Sequence, residues 1–220
     1  MKFIRVCIIL AVMISLSAAF IGCTKKDGGK AVLRIGTNAE YPPFEFKEGD
    51  QFKGIDMELG VLLAEKLGMK HEINDIDFDA LIPSLTSSKI DLALSAITIT
   101  AERKKQIDFS IPYYMADQSI ISNSSSVIEI IKEEDLVKYK IGAQNGTTGQ
   151  LHMDKNYIKT GKMAKGNLKR YPTNIEAISD MLNGNIDLVI IDNSAADGYK
   201  KLKPIKIIYT IKTNERYGIG

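Results

Sequence analysis

Apolar and polar residues alternate along the chain in two regular ways. Short apolar runs bounded by turn residues are typical of buried strands, and they occupy residues 32–37, 90–96, 139–143 and 186–191. Apolar residues at three- and four-residue spacing predict helices, at residues 54–67, 78–87, 100–105, 147–156, 174–182 and 194–201. Because strands and helices alternate, we expect an α/β fold in which mostly parallel sheets are flanked by helices.

The pattern repeats once within the chain. The tetrapeptide IGTN at 35–38 recurs as IGAQ at 141–144, and IDL at 90–92 recurs at 186–188. The repeat predicts two similar lobes around a cleft, since ligands of open α/β sheets bind beyond the carboxyl ends of the strands. The predicted divisions are a first lobe at 32–116, a hinge crossing at 117–123, a second lobe at 124–212, and a second crossing with a stub of return to the first lobe at 213–220.

The amino terminus has the character of an export signal. Lys2 and Arg5 precede an uncharged apolar stretch, and small residues lead to Cys23. This order predicts a signal peptide over 1–22, with an uncleaved anchor helix as the alternative. The segment FIGC at 20–23 resembles the bacterial lipoprotein signal, with Phe where Leu is usual. That resemblance implies a lipidated Cys23, a polar tether over 23–31, and an extracytoplasmic, membrane-anchored location on the periplasmic side or the cell surface.

Composition excludes several classes of function. The 220 residues hold 29 Lys and Arg against 27 Asp and Glu, so the chain lacks the basic excess of a nucleic-acid-binding protein. Two His exclude a His-rich metal site. The DxDxD run at 75–79 fails as a calcium loop, because Ala80 and Thr86 stand where Gly and Glu are needed. Phosphate-loop and hydrolase motifs are absent from the sequence. We therefore expect no metal and no cofactor.

Four segments that follow predicted strands carry binding chemistry. Arg103 follows hydroxyl residues at a helix start and can clamp a carboxylate with two hydrogen bonds, unless it is a solvated helix arginine. The GTTG run at 146–149 offers hydroxyl and N–H groups to an anion. Asp192 ends an apolar strand and suits a ligand cation, or else caps the next helix. Tyr41 and Phe44 flank two prolines and can cover a ligand, or pack in the core, which is the better expectation for Phe44.

Six runs together resemble the family-3 extracellular solute-binding proteins of bacterial ABC importers. The matching runs are LRIGTNAEYPPFEF (33–46), FKGIDMELGVLLAEKLG (52–68), DFDALIPSLTSSKIDLALSAITITAERKKQIDFSIPYY (77–114), IGAQNGTTGQ (141–150), AISDMLNGNIDLVIIDNSAA (177–196) and ERYGIG (215–220). The resemblance implies a two-lobed type II periplasmic-binding fold that closes over a free amino acid. It also implies a monomer that binds without catalysis and delivers its ligand to the membrane permease of an importer.

The resemblance assigns roles to individual residues. Arg103 would bind the ligand α-carboxylate with help from Thr98 and Thr148, and Asp192 would bind the α-ammonium with the carbonyl of Ala96. Tyr41 would cover the ligand side chain. The remaining candidate positions are Asn38, Glu40, Phe44, Phe78, Ser95, Ile97, Gln144 and Thr147. The acids and aromatic rings near the side chain favour Arg, Lys or His as the ligand, with Gln or cystine as the alternative.

Two other functions and one departure from the family stay open. An enzyme on the same fold, similar to the cyclohexadienyl dehydratases, would use Glu40 as its acid or base, and a ligand-sensing domain would feed a signalling protein. Relatives continue a few tens of residues past YGIG, whereas this sequence stops at Gly220. We therefore expect an exposed apolar patch beside 213–220, and a gain in thermal stability on extension by a relative's carboxyl-terminal segment.

Overall fold

The computed structural model describes residues 30–220, of which Val32–Gly220 form one compact unit. The predicted signal peptide, Cys23 and nearly all of the tether lie outside the described residues. Across residues 30–220, none of the helices has the length and apolar character that a membrane crossing requires. Strands and helices alternate through this unit, as the apolar pattern predicts.

A three-stranded parallel sheet holds the first predicted strand at its centre. Its strands are β1 (Val32–Thr37), β5 (Lys70–Asp75) and β6 (Leu92–Ala93), in the order β5-β1-β6. The helices α1 (Ile55–Lys66) and α2 (Leu81–Thr86) lie between these strands in sequence. Gly60 of α1 has no side chain, and a Cβ there would meet Ile35 at 2.9 Å. The helix therefore packs directly on β1 over a core that includes Leu33 and Leu94.

A small antiparallel sheet interrupts this α/β unit. Its strands are β2 (Glu40–Tyr41), β3 (Glu45–Glu48) and β4 (Gln51–Lys53). The apolar pattern gives no sign of them, because the strands are two to four residues long and mostly polar. They carry the turn between Tyr41 and Phe44 back against the start of α1, where the amide of Asp56 donates to the carbonyl of Phe44 at 2.9 Å.

The second sheet has five strands in the order β11-β7-β10-β8-β9. They are β7 (Tyr114–Asn123), β8 (Ile141–Gln144), β9 (Leu168–Tyr171), β10 (Leu188–Asp192) and β11 (Ile205–Tyr217). The strands β9, β8 and β10 are parallel, whereas β7 runs antiparallel to both β10 and β11. The flanking helices are α3 (Thr148–Met153), α4 (Asn174–Leu182) and α5 (Asn193–Lys200). Ile120, Ile141 and Leu188 have no exposed surface and form the centre of this core.

Several predicted elements are shorter than the pattern indicates. The strand expected at 90–96 is reduced to Leu92–Ala93, the two residues that pair with β1, and Ala96 beyond it takes a left-handed conformation with φ of 45°. The helix expected at 100–105 is a single 3₁₀ turn, Arg103–Lys105. The helix expected at 78–87 begins as the 3₁₀ turn Phe78–Ala80 and continues as α2. Further 3₁₀ turns span Glu133–Lys138 and Lys165–Asn167, and α3 runs on into the π-helix Asp154–Ile158.

The end of the chain runs from the second sheet to the first. Thr98 forms an isolated bridge with Tyr217, and Gly220 exchanges two backbone hydrogen bonds with Ala93 of β6. Beside Gly220 lies an apolar groove lined by residues that include Leu63, Leu67, Leu85, Phe109 and Ile219. The groove occupies the place where an exposed apolar patch is expected. The division of the chain into lobes at 117–123 and 213–220 stays a prediction.

Candidate functional site

A cavity lies where the carboxyl ends of β1, β6, β8 and β10 meet. Most of the predicted site residues line it, together with Glu45, and the lining residues are Asn38, Tyr41, Glu45, Phe78, Ser95, Ala96, Thr98, Arg103, Gln144, Thr147, Thr148 and Asp192. Glu40, Phe44 and Ile97 do not line it. Phe44 and Ile97 are almost completely buried in hydrophobic clusters, as the core alternative for Phe44 expects, and Glu40 uses its carbonyl to accept from the Tyr199 hydroxyl.

Arg103 is a buried cation that joins the two halves of the cavity. Its side chain is held by two carbonyls, with Nη1 2.7 Å from the Thr98 oxygen and Nη2 3.0 Å from the Gly146 oxygen. The guanidinium lies 5.4 Å from the centre of the Phe78 ring, and the residue is 7% exposed. Arg103 is therefore not a solvated helix arginine, and its remaining N–H groups can serve a carboxylate.

Asp192 is a buried acid at the end of β10. Its Oδ1 accepts from Gln118 Nε2 and its Oδ2 accepts from the Tyr217 hydroxyl. It makes no side-chain cap for α5, so the capping alternative does not hold. Burial, and then the nearby carboxyl of Glu215, raise the pKa of Asp192 to about 7, while the Tyr217 and Gln118 hydrogen bonds oppose that rise. Such a carboxyl is suited to a ligand cation, which would favour its ionised form.

The hydroxyls of the anion-binding segments are already engaged. Thr98 Oγ1 and Thr148 Oγ1 lie 2.6 and 2.7 Å from Oε2 of Glu215. Thr147 caps α3, since its Oγ1 accepts from the Gln150 amide at 3.2 Å and donates to the Gln144 carbonyl at 2.8 Å. Apart from the ERYGIG run, nothing in the local sequence indicates that Glu215 contacts these hydroxyls. The direction of its side chain is set by a β-bulge in β11.

A second buried acid pair supports the floor of the cavity. Oε1 of Glu45 accepts from the Ser95 hydroxyl at 2.9 Å, and Oδ2 of Asp56 accepts from the Ala96 amide at 2.7 Å. Burial, with the neighbouring Asp56 carboxyl, raises the pKa of Glu45 far above its usual range, and burial raises that of Asp56 to about 6. The hydrogen bond that the Ala96 amide donates to Asp56 supports the left-handed conformation of Ala96, which sets where its carbonyl points.

Amides and aromatic rings also line the cavity. Gln144 donates to Oδ1 of Asn38 at 2.8 Å and accepts from Nδ2 of Asn174 at 2.6 Å. Tyr41 and Phe78 are the aromatic rings of the lining. Among the described residues, no group of three His, Cys, Asp or Glu side chains is arranged to hold a metal ion.

Comparison with known proteins gives consistent matches. The family model of the bacterial extracellular solute-binding proteins, family 3, matches residues 33–189. The arginine-binding extracellular protein ArtP of Bacillus subtilis is 35% identical over 204 residues, which are 91% of this chain and 76% of ArtP. An L-arginine-binding protein of Pseudomonas aeruginosa is 33% identical over 77% of this chain and 64% of its own length.

Solved structures give the same result. An ancestral arginine-binding protein bound to arginine superposes with a TM-score of 0.79 at 38% identity, covering 86% of this chain and 84% of that chain. The arginine-, lysine-, histidine-binding protein ArtJ of Geobacillus stearothermophilus superposes with a TM-score of 0.75 at 36% identity, covering 85% and 80%. The fold is thus the α/β fold of the type II periplasmic binding proteins. The chain belongs to the bacterial extracellular solute-binding proteins of family 3.

Proposed function

We propose that this chain is the extracytoplasmic receptor of an amino-acid ABC importer and that it binds a free basic L-amino acid: Arg, Lys or His. The observation that carries the proposal is one cavity lined by a buried cation, Arg103, and a buried acid, Asp192. These two charges complement the α-carboxylate and the α-ammonium of a free amino acid. Burial of an unpaired charge costs free energy, so Arg103 and Asp192 together indicate a ligand that carries both a negative and a positive charge.

The side chain of the ligand extends toward Asn38, Tyr41, Phe78 and Gln144. Both rings can lie against an aliphatic stem and a cationic head, and both amides have oxygens that accept from a guanidinium or ammonium. Relatives named for arginine and histidine binding favour the same ligand class. A cystine-binding relative, 28% identical, keeps cystine as the alternative.

Binding by both halves of the cavity couples the ligand to closure. Arg103 and Thr98 follow the first sheet, whereas Thr148 follows β8 of the second sheet and Asp192 ends β10. A ligand that contacts both sets binds the closed form better and shifts the population toward it. The closed form then docks on the permease. A micromolar affinity corresponds to about −8 kcal/mol, which two buried charge pairs and aromatic contact can supply.

We propose that the protein does not act as an enzyme. Glu40, the acid that a dehydratase would need, does not line the cavity, and the acids that do line it are held by hydrogen bonds. Incubation with prephenate or arogenate and detection of the dehydrated product would test the enzyme alternative, and turnover would support it.

Export and anchoring complete the proposal. The signal peptide 1–22 is removed, and Cys23 carries the lipid that holds a monomeric receptor at the membrane. Incorporation of labelled palmitate by the wild-type chain, and its loss in Cys23→Ser, would test the anchor. Labelling that persists in the variant would contradict it.

The ligand is tested by isothermal titration calorimetry. The chain from residue 24 is unfolded to strip bound ligand, refolded, and titrated with each common amino acid and with cystine. Saturable binding of Arg, Lys or His supports the whole proposal. Binding of Gln or cystine alone keeps the receptor and rejects the basic ligand, and absence of binding by a folded sample rejects the receptor.

A further inference from the structure

Glu215 is a buried acid of β11 that contacts two residues of the cavity lining, Thr98 and Thr148, without lining the cavity itself, and the proposed ligand contacts do not use it. The register between β7 and β11 shifts between the pairs Ile211–Gln118 and Glu215–Ala116. Residues 212–214 bulge there, and Oδ1 of Asp117 accepts from the amides of Thr213 and Asn214, both at 2.9 Å. A bulge changes the direction of the side chains that follow it. Here it brings the carboxyl of Glu215, a residue 9% exposed, to Thr98 and Thr148.

Both carboxyl oxygens of Glu215 accept hydrogen bonds. Oε2 accepts from the hydroxyls of Thr98 and Thr148, and Oε1 accepts from Nε2 of Gln118 at 2.9 Å. The same Nε2 also donates to Asp192. This fixes the orientation of the Gln118 amide, because a reversed amide would place its oxygen between two carboxyls. Gln118 thus joins Glu215 to the acid that we assign to the ligand ammonium.

The direction of the hydroxyl hydrogens of Thr98 and Thr148 determines whether these groups donate to a ligand or accept from it. A hydroxyl has one hydrogen to donate and two lone pairs that accept. Thr98 and Thr148 direct their hydrogens to Glu215, and Thr148 Oγ1 also accepts from Gln118 Nε2 at 3.3 Å. Only the remaining lone pairs of the two hydroxyls are left for the cavity. A carboxylate has only acceptors and gains nothing from them, whereas an ammonium has three donors. The carboxylate-binding role that the resemblance gives these hydroxyls therefore conflicts with the hydrogen bonds of Glu215.

We propose that Glu215 is a positioning residue that turns the Thr98 and Thr148 hydroxyls into acceptors, so that this edge of the cavity selects an α-ammonium group. Arg103 is then left as the side chain that binds the α-carboxylate. The inference rests on the proposed function, because it assumes a free amino acid in this cavity. In this proposal Glu215 is one of the residues by which the cavity distinguishes an amino acid from its analogue without the α-amino group.

Glu215→Gln tests the direction of the hydroxyls with almost no change of shape. The Gln oxygen can accept from Gln118, and its NH₂ then donates to Thr98 and Thr148, which reverses both hydroxyls. The probes are L-arginine and 5-guanidinopentanoate, which is arginine without its α-amino group. We expect the variant to lose about tenfold or more in affinity for L-arginine, with little change for 5-guanidinopentanoate. Glu58→Gln, an exposed substitution on α1, is the matched control and leaves both affinities unchanged.

The possible results separate the two proposals. Equal losses for both probes would show a merely structural role for Glu215 and overturn this inference, as would tighter binding of L-arginine, which would make Glu215 a competitor of the ligand carboxylate. A wild-type protein that binds no L-arginine would overturn this inference together with the basic ligand of the proposed function. Thermal melting of each variant confirms that the compared samples are folded.

Discussion

At the scale of single residues, Arg103 makes the strongest prediction. Its guanidinium is buried and is held by the carbonyls of Thr98 and Gly146, so two hydrogen bonds to the backbone fix its orientation. We expect Arg103→Ala to weaken amino-acid binding by about 2–5 kcal/mol, as for removal of one partner of a buried charge pair. Calorimetry measures the loss, with substitution of the exposed neighbour, Lys104→Ala on the same 3₁₀ turn, as control. A loss smaller than about tenfold, 1.4 kcal/mol, would remove Arg103 from the proposed role.

Asp192 makes a prediction about pH. With its pKa raised to about 7, this carboxyl is mostly protonated at pH 5.5, and the ammonium of the ligand then has no anion to meet. Because the ligand favours the ionised form, affinity rises with pH through 7 and binding below 7 releases a proton. We expect roughly tenfold tighter binding at pH 8 than at pH 5.5.

Calorimetry at the two pH values, in buffers of different ionisation enthalpy, measures the affinities and the proton release together. Asp192→Asn should bind weakly, with the pH dependence removed. An affinity that is the same at both pH values in the wild-type chain would show that Asp192 does not titrate in this range or does not meet the ammonium.

At the scale of elements, the buried acids Glu45 of β3 and Asp56 of α1 link stability to pH. Both have pKa values raised in the folded protein. Their contribution to stability is therefore fully present below about pH 4 and is lost as pH rises through the folded pKa, which for Asp56 is about 6. When the acid dissociation constant of a carboxyl differs tenfold between the folded and unfolded chain, the free energy of unfolding changes by about 1.4 kcal/mol. The loss should therefore be visible in thermal melting.

Between pH 5 and pH 8, we expect the melting temperature of Glu45→Gln to fall less than that of the wild-type chain. The reason is that an uncharged amide replaces the carboxyl that must ionise. The Gln side chain can still accept from the Ser95 hydroxyl. Melting curves at pH 5 and pH 8 measure the difference, with exposed Glu58→Gln as control. Parallel losses in wild type and variant would show that Glu45 is not the group responsible.

The elements also differ in how far the sequence predicts them. β8 and β10 are predictable because each is a compact apolar run, and the position of Asp192 follows from the run that forms β10. The position of Arg103 follows from the apolar run at 90–96, although β6 covers only two residues of it. The pairing of β7 with β11 is not, since it joins segments about ninety residues apart whose polar and apolar residues are mixed. Glu215 depends on the bulge in β11, and a change of one residue in register would turn its side chain to the other face.

At the scale of the whole molecule, the turn after β2 meets α5, and we propose that ligand-driven closure depends on this contact. The Tyr199 hydroxyl of α5 donates to the Glu40 carbonyl, and Gly198 lies against Pro42 of the same turn. A Cβ at Gly198 would approach the Pro42 carbonyl oxygen to 2.4 Å. Both groups are backbone and cannot rotate away, so glycine is required for this close approach. The contact joins a segment that follows the first sheet to a helix of the second, and it belongs to the closed form that we propose.

Gly198→Ala should therefore act on closure. The added methyl group separates the turn from α5, which destabilises the closed form, while an open form escapes the clash. We expect amino-acid affinity to fall by about tenfold or more, 1.4 kcal/mol, with a smaller effect on thermal melting without ligand. Gly166→Ala is the control, because nothing lies within 4 Å of its added Cβ. If Gly198→Ala instead lowers the melting temperature and leaves the affinity unchanged, the contact stabilises the fold in every form and the close approach has no part in ligand-driven closure.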